Sequence, residues 1–174
     1  MKIAFHGAAR TVNGSKHIIT LKSGKKILLD CVMFQGLGKD TDILNRSFGF
    51  NPKEVDVMIL SHAHIDHSGL LPKLVKEGFE GSIFCTHGTR ELVTVLLEDS
   101  AEIQEDDIRY TNKRRAASGQ PLLLPLYTLD DAQKAAKSFT EADYGSWFDV
   151  IEGVQAMFTD AGHIIGSVCV HLKI

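Results

Sequence analysis

Three of the chain's eight histidines and one aspartate fall within six positions, in Ser61-His62-Ala63-His64-Ile65-Asp66-His67. Imidazole and carboxylate are the usual protein ligands of zinc and similar divalent ions. Residues two apart in an extended backbone point to the same side, so His62 and His64 can reach one ion. Asp66 and His67 follow where a strand turns into the next helix, and that change of direction lets the second pair face a neighbouring ion. A lone histidine is more often a surface or satisfied core residue. A cluster this dense reads as a site for more than one metal ion.

Two further segments carry chemistry of the same kind. In Asp160-Ala161-Gly162-His163-Ile164-Ile165-Gly166-Ser167, His163 sits between glycines in a loop between strands, where the backbone can approach a site closely. Its weight comes from the first cluster, whose two-histidine position needs a third ligand. In Leu28-Leu29-Asp30-Cys31, a carboxylate ends a buried strand. Burial is costly for an unpaired carboxylate, so Asp30 either caps a turn or orients a ligand histidine from behind. His87 opens a helix in Cys85-Thr86-His87-Gly88-Thr89, with two readings: the mouth of the site, or a helix-capping position. His6, near the Gly7 loop, could likewise line the mouth of the site, whereas His17 and His171 are strand positions without chemistry. Lys113-Arg114-Arg115 could touch phosphates, but a solvated helix end fits those cations better.

The elements that must position these residues follow from local patterning. Residues 2 to 5, 15 to 21 and 25 to 30 read as strands, the last two around a Ser23-Gly24 turn. Residues 36 to 50 read as an irregular polar loop. Val55 to Leu60 is a short apolar strand that runs directly into His62. Ser68 to Glu77 has helical spacing at Leu70, Leu71, Leu74 and Val75 and stops at Gly78. After a strand over 82 to 85, a long helix starts near Thr86 to Thr89 and runs toward Arg115, broken by Ser118-Gly119-Gln120-Pro121. Thr128-Leu129-Asp130-Asp131 forms a capping box before a helix of about two turns. Residues 150 to 158 and 166 to 174 read as strands. Strands first, then strand–helix units, predict an α/β layered domain.

Bulk properties narrow the classes. The 174 residues are 44% hydrophobic and 24% charged, as in a globular domain with its own core. A net charge of −3 argues against a compact, globally basic nucleic-acid binder, so any such contact must be local. Cys31, Cys85 and Cys169 are odd in number and form no CxxC, which points to neither a disulfide framework nor a cysteine zinc site. A reduced, cytoplasmic setting is expected. The sequence has neither a signal-peptide pattern at its start nor an apolar run of membrane-spanning length.

The segment His62 to Pro72 resembles the HxHxDH signature of the metallo-β-lactamase superfamily, and more specifically its β-CASP branch of RNA-processing nucleases. That branch includes the endonuclease subunit of the cleavage and polyadenylation specificity factor and its bacterial and archaeal relatives. Four more segments resemble the branch: Gly7 to Ser15, Leu28 to Gly36, Asp99 to Glu105 and Asp160 to Ser167. The resemblance implies an αββα sandwich with two zinc ions at one edge. It places His62, His64 and His163 on the first ion and Asp66 and His67 on the second. Asp30 stands behind them. On the same resemblance, Asp66 would help orient a zinc-activated hydroxide for attack on phosphorus in an RNA phosphodiester.

The sequence departs from the branch in three places. Val32 stands where the family commonly has Gly, and Asn13 where it has Thr. The bridging aspartate of the family follows the His163 motif after a further strand, and the β-CASP insertion comes later still. Residues 1–174 are therefore expected to form the N-terminal part of a longer nuclease. On that reading one metal site or fewer is well held, and an exposed terminal strand edge favours self-association. The competing readings are a superfamily hydrolase of small esters or thioesters, and an inactive metal-binding fragment. Asp99 and Glu105 match family letters without an evident chemical role.

Overall fold

The computed structural model describes residues 1–7, 9, 14–36 and 38–174. Asn13 and much of the Gly7 to Ser15 segment lie outside the described residues. Two sheets stack on each other. The first has six strands in chain order: β1 (Lys2–Phe5), β2 (His17–Thr20), β3 (Lys26–Leu29), β4 (Val57–Ile59), β5 (Ile83–Cys85) and β6 (Phe139–Glu141). β1 to β3 are antiparallel, and β3 to β6 run parallel. The second sheet is antiparallel and has three strands: β7 (Trp147–Ile151), β8 (Val154–Asp160) and β9 (Val168–Lys173).

Parallel neighbours in chain order need crossovers, and right-handed crossovers in one direction put every connecting helix on one face. The helices are α1 (Lys39–Arg46), α2 (Ile65–Ser68), α3 (Leu71–Lys76), α4 (His87–Ala117) and α5 (Leu129–Ala135). Leu71, Leu74, Val93, Leu97, Ala101 and Ala132 from these helices pack with Leu28, Met58 and Ile83 in one core. The opposite face presents Ile19, Ile27, Val57 and Ile59 to Ala156, Phe158 and Val168 of the second sheet. Phe84 stacks on Phe148 at 5.4 Å between ring centres, and Phe148 meets Phe158 edge-on at 5.0 Å. None of the helices enters this second core among the described residues, so the layers observed are helix, sheet, sheet. β9 pairs only with β8, which leaves its outer edge without a strand partner among the described residues.

The structure corrects three local expectations. The stretch from 36 to 50 contains α1. It escapes hydrophobic patterning because its apolar residues Ile43 and Leu44 face solvent. It is fixed instead by buried Asn45, whose side-chain amide accepts from Phe34 N at 2.8 Å and donates to Phe34 O at 2.9 Å. The single strand expected over 150 to 158 is the hairpin of β7 and β8. Ile151 pairs Val154 across Glu152-Gly153, and Gly153 takes φ +79°. A positive φ in a two-residue loop suits glycine. The helix expected from 68 to 77 is α3, starting only at Leu71, and a separate short helix, α2, precedes it across Gly69-Leu70. The long helix and the Thr128 capping box form as expected.

Candidate metal centre

The parallel strands β3, β4 and β5 all end at the same edge of the first sheet, where layered α/β folds place their sites. β3 delivers Asp30, β4 delivers Ser61 and His62, and β5 delivers Thr86 and His87. The β8–β9 connection reaches this edge from the second sheet, where Val168 N donates to Ser61 O at 2.9 Å. His163, ninety-nine positions beyond His64, thus comes to lie beside it.

His62, His64 and His163 each offer a ring nitrogen, and these atoms lie within 4.8 Å of one another. His163 Nε2 is 3.2 Å from His64 Nδ1. Two nitrogens bound to one tetrahedral zinc at the usual bond length stand about 3.3 Å apart. That pair stands at the spacing of two ligands on one ion, and the His62 ring lies near enough for the three to hold one. Among the described residues this is the one group of three or more His, Cys, Asp or Glu donors with that spacing.

Behind the ligand atoms, one carboxylate organises two rings. Asp30 is buried and is the only described non-glycine residue with positive φ, at 55°. Its Oδ1 accepts from Ser61 N at 2.8 Å, and its Oδ2 accepts from Ser61 Oγ at 2.9 Å. The same Oδ2 lies 2.8 Å from His67 Nδ1. With its proton given to Asp30, Ser61 Oγ accepts from His62 Nδ1 at 2.9 Å. A proton on Nδ1 of each ring leaves the Nε2 lone pairs of His62 and His67 free. Asp30 thus reaches His67 directly and His62 through Ser61.

Electrostatics separates the two rings. Burial, and then the neighbouring His67, push the His62 pKa down to about 4, with His64 and His163 adding to the fall against the pull of Asp30. The ring is thus neutral and ready to ligate at pH 7. Burial opposes charge on His67 as well. There the hydrogen bond and charge of Asp30, with the charge of Asp66, prevail and raise the pKa. Asp66 stands partly exposed, its Oδ2 3.9 Å from His67 Nε2. Asp66 and His67 are thus adjacent, but with two donors rather than three.

His87 is exposed at the first position of α4, with Nδ1 3.2 Å from Glu141 Oε2. The structure does not bring it into the histidine group. His17 and His171 lie in β2 and β9. Lys113, Arg114 and Arg115 form the solvated end of α4. The Asp99 to Glu105 segment acts in packing. Ser100 Oγ accepts from Tyr127 OH at 2.9 Å, and Glu105 Oε2 accepts from Leu129 N at 3.3 Å at the start of α5. Sequence reasoning missed Ser61 and Ser68; Ser68 Oγ lies 2.9 Å from Ala63 O and 3.0 Å from His64 O. Serine beside a histidine is too common to stand out.

Two stacked sheets with a helical layer and a histidine centre at the strand ends define the class of molecule. Residues 14–151 match the family model described as "Metallo-beta-lactamase superfamily". The chain belongs to that superfamily. Among curated relatives, Ribonuclease TTHA0252 from Thermus thermophilus is 36% identical over 167 residues, which is 96% of this chain and 34% of the relative. Transcription termination factor FttA from Methanocaldococcus jannaschii is 28% identical over 180 residues, covering 100% of this chain and 25% of the relative. The chain thus spans about a quarter to a third of the length of these relatives. Among solved structures, BJP-1, a subclass B3 metallo-beta-lactamase of Bradyrhizobium japonicum, superposes with a TM-score of 0.57 at 17% identity. It covers 99% of this chain and 54% of that one. A mutant flavo di-iron protein from Thermotoga maritima gives 0.52 at 19%, covering 92% of this chain and 30% of that one. These two likenesses concern the fold alone. No helix among the described residues is long and apolar enough to cross a membrane.

Proposed function

We propose that this chain carries the metal-binding part of an RNA phosphodiesterase of the β-CASP type, with His62, His64 and His163 holding a zinc ion. The observation that carries the metal assignment is the convergence of three imidazole donors within 4.8 Å, two of them at tetrahedral spacing. The relative named a ribonuclease, which aligns along nearly the whole chain, supports RNA as the substrate class. Bound zinc would supply a water acidic enough to serve as nucleophile at neutral pH and a Lewis acid for the phosphoryl oxygen.

The protein's own groups have separable tasks. Asp30 and Ser61 hold two rings in the tautomer that ligates. Asp66, partly exposed and 3.9 Å from His67 Nε2, is the carboxylate available to accept a proton from an attacking water and fix its direction. With His67 it offers only two donors to a second ion, so that position is the weaker one and full activity draws on ligands besides these two. Single-stranded RNA incubated with zinc-loaded protein should be cleaved, with cleavage lost on chelation. Asp66→Ala should slow it by about a hundredfold or more. Turnover of small esters with intact RNA would overturn the nuclease assignment.

A further inference from the structure

His163 is the exposed member of the histidine group, yet the backbone that carries it is anchored from an unrelated part of the chain. Residues 163 to 167 form a closed turn. Ser167 Oγ accepts from His163 N and from Ile164 N, each at 3.2 Å, and Ser167 N donates to Ile164 O at 3.0 Å. Tyr144 OH donates to Ser167 O at 3.3 Å, and the turn is suspended at two further points. One is the Val168 N to Ser61 O bond. The other is Gly166 O, which accepts from Thr86 Oγ1 at 2.7 Å and from Thr89 Oγ1 at 2.8 Å. Both hydroxyls are buried, and together they saturate the two lone pairs of the carbonyl.

The fit there leaves no slack. Gly166 takes φ +80°, and a Cβ on it would stand 2.2 Å from Thr89 N. A Cβ on Gly88, in the same first turn of α4, would stand 3.3 Å from Gly166 Cα and N. Two glycines without side chains let the helix and the turn meet backbone to backbone, and two hydroxyls lock them. Capping explains only part of this. Thr86 accepts from Thr89 N at 3.2 Å as an N-cap, but a cap has no need of Thr89 Oγ1 or of a carbonyl eighty residues away.

We propose that Thr86 and Thr89 are positioning residues for the third metal ligand: through Gly166 O they fix the turn that holds His163 against His62 and His64. This rests on the three-histidine metal centre proposed above. The start of α4 therefore sets metal affinity without touching the metal. Outer groups that orient ligands typically change affinity by about 10- to 100-fold when removed.

The test is a titration of the full chain, cleared of metal, with Co2+, read by the visible absorption of the bound ion and by dissociation constant. Thr89→Val keeps the shape and removes a hydroxyl. Its Co2+ affinity should fall by about tenfold or more, with a changed band pattern as His163 leaves the coordination. Thr89→Ser should restore both. Gly88→Ala, which leaves both hydroxyls in place but presses on Gly166, should also weaken Co2+ binding. Thr89→Val with wild-type affinity and spectrum and a lowered Tm would show a purely structural threonine and overturn the proposal. If Thr89→Val does not fold, Gly88→Ala with unchanged affinity overturns it. Wild-type protein that binds no Co2+ would instead sink the metal centre itself.

Discussion

In the stretch from Ser61 to Ser68, His62, Ala63 and Ser68 are buried, and the backbone is bonded to its surroundings on several sides. Cys31 N donates to His67 O at 2.6 Å, Met33 N to Ile65 O at 3.3 Å and Ser15 N to Asp66 O at 3.2 Å. Across the centre, Asp160, Ala161, Gly162 and His163 are all exposed. Gly162 N donates only to Asp160 Oδ1, two residues away, at 2.8 Å. The two stretches supply the same donor to the same place by different means. The first is a half-site in which a buried carboxylate orients His67 directly and His62 through Ser61. The second is an exposed turn between β8 and β9, closed on itself by Ala161 N donating to Ser167 O and His163 N donating to Ser167 Oγ, each at 3.2 Å. A centre built this way takes two donors from a stretch braced on several sides and the third from a turn closed by its own bonds.

The largest test of that contrast is Asp30→Ala. It removes the acceptor of three hydrogen bonds, leaves Ser61 N and His67 Nδ1 unpaired in a buried place, and puts Ala at a positive φ that Asp tolerates better. The expected loss is about 3 kcal/mol in urea denaturation. Asp30→Asn keeps the shape and the backbone angle and should lose about half as much. A loss under about 0.5 kcal/mol for Ala would show that the first half-site is not braced through Asp30.

A smaller effect is expected in the pH dependence of the metal-free protein. The native His62 pKa is about 4 against an ordinary 6.5, so the unfolded chain takes up this proton first on acidification. Its contribution to stability is present above pH 6.5 and is lost as pH falls toward 4. His67 has the opposite sign. Its native pKa is raised, so its contribution is present below 6.5 and is lost as pH rises through the native value. Melting temperatures in the presence of chelator should show both limbs, and His62→Asn should flatten the acid one. An acid limb of unchanged slope in that variant would remove His62 from the account.

The two halves also differed in how far they could be read from sequence. The spacing of His62, His64, Asp66 and His67 is local, and a strand that ends at Leu60 presents it directly, so the donors were legible as a group. His163 had no local signal beyond its glycine neighbours. It drew weight from the need for a third ligand and from family resemblance, because its partner lies ninety-nine positions away. The Thr86 and Thr89 hydroxyls were read only as the start of a helix. Their second role depends on β5 and the β8–β9 turn sharing an edge, which no local pattern encodes. α1 was hidden for a related reason, since a long-range clamp from Asn45 to Phe34 fixes it rather than an apolar face. Val32, where the family commonly has Gly, has a packing explanation. A Cβ on Gly14 would stand 1.7 Å from Val32 Cγ2, so the bulk on one side is accommodated by its absence on the other.

The smallest expected effect separates the open side of the second stretch from the side packed on α4. Gly162 takes φ +64°, and a Cβ there would meet nothing within 4 Å. Gly162→Ala should therefore cost only the left-handed backbone penalty, about 1 kcal/mol. Gly166→Ala adds collision with Thr89 N at 2.2 Å to a similar φ, and that neighbour is helix backbone that cannot swing aside. It should lose several times as much, and urea midpoints at constant slope measure both. Equal losses would mean that the loop moves as one body and that its two ends are not held differently. A large loss at Gly162 alone would put the packed side there instead. The expected ordering places His163 on a turn whose open side at Gly162 tolerates a side chain while its packed side at Gly166 does not.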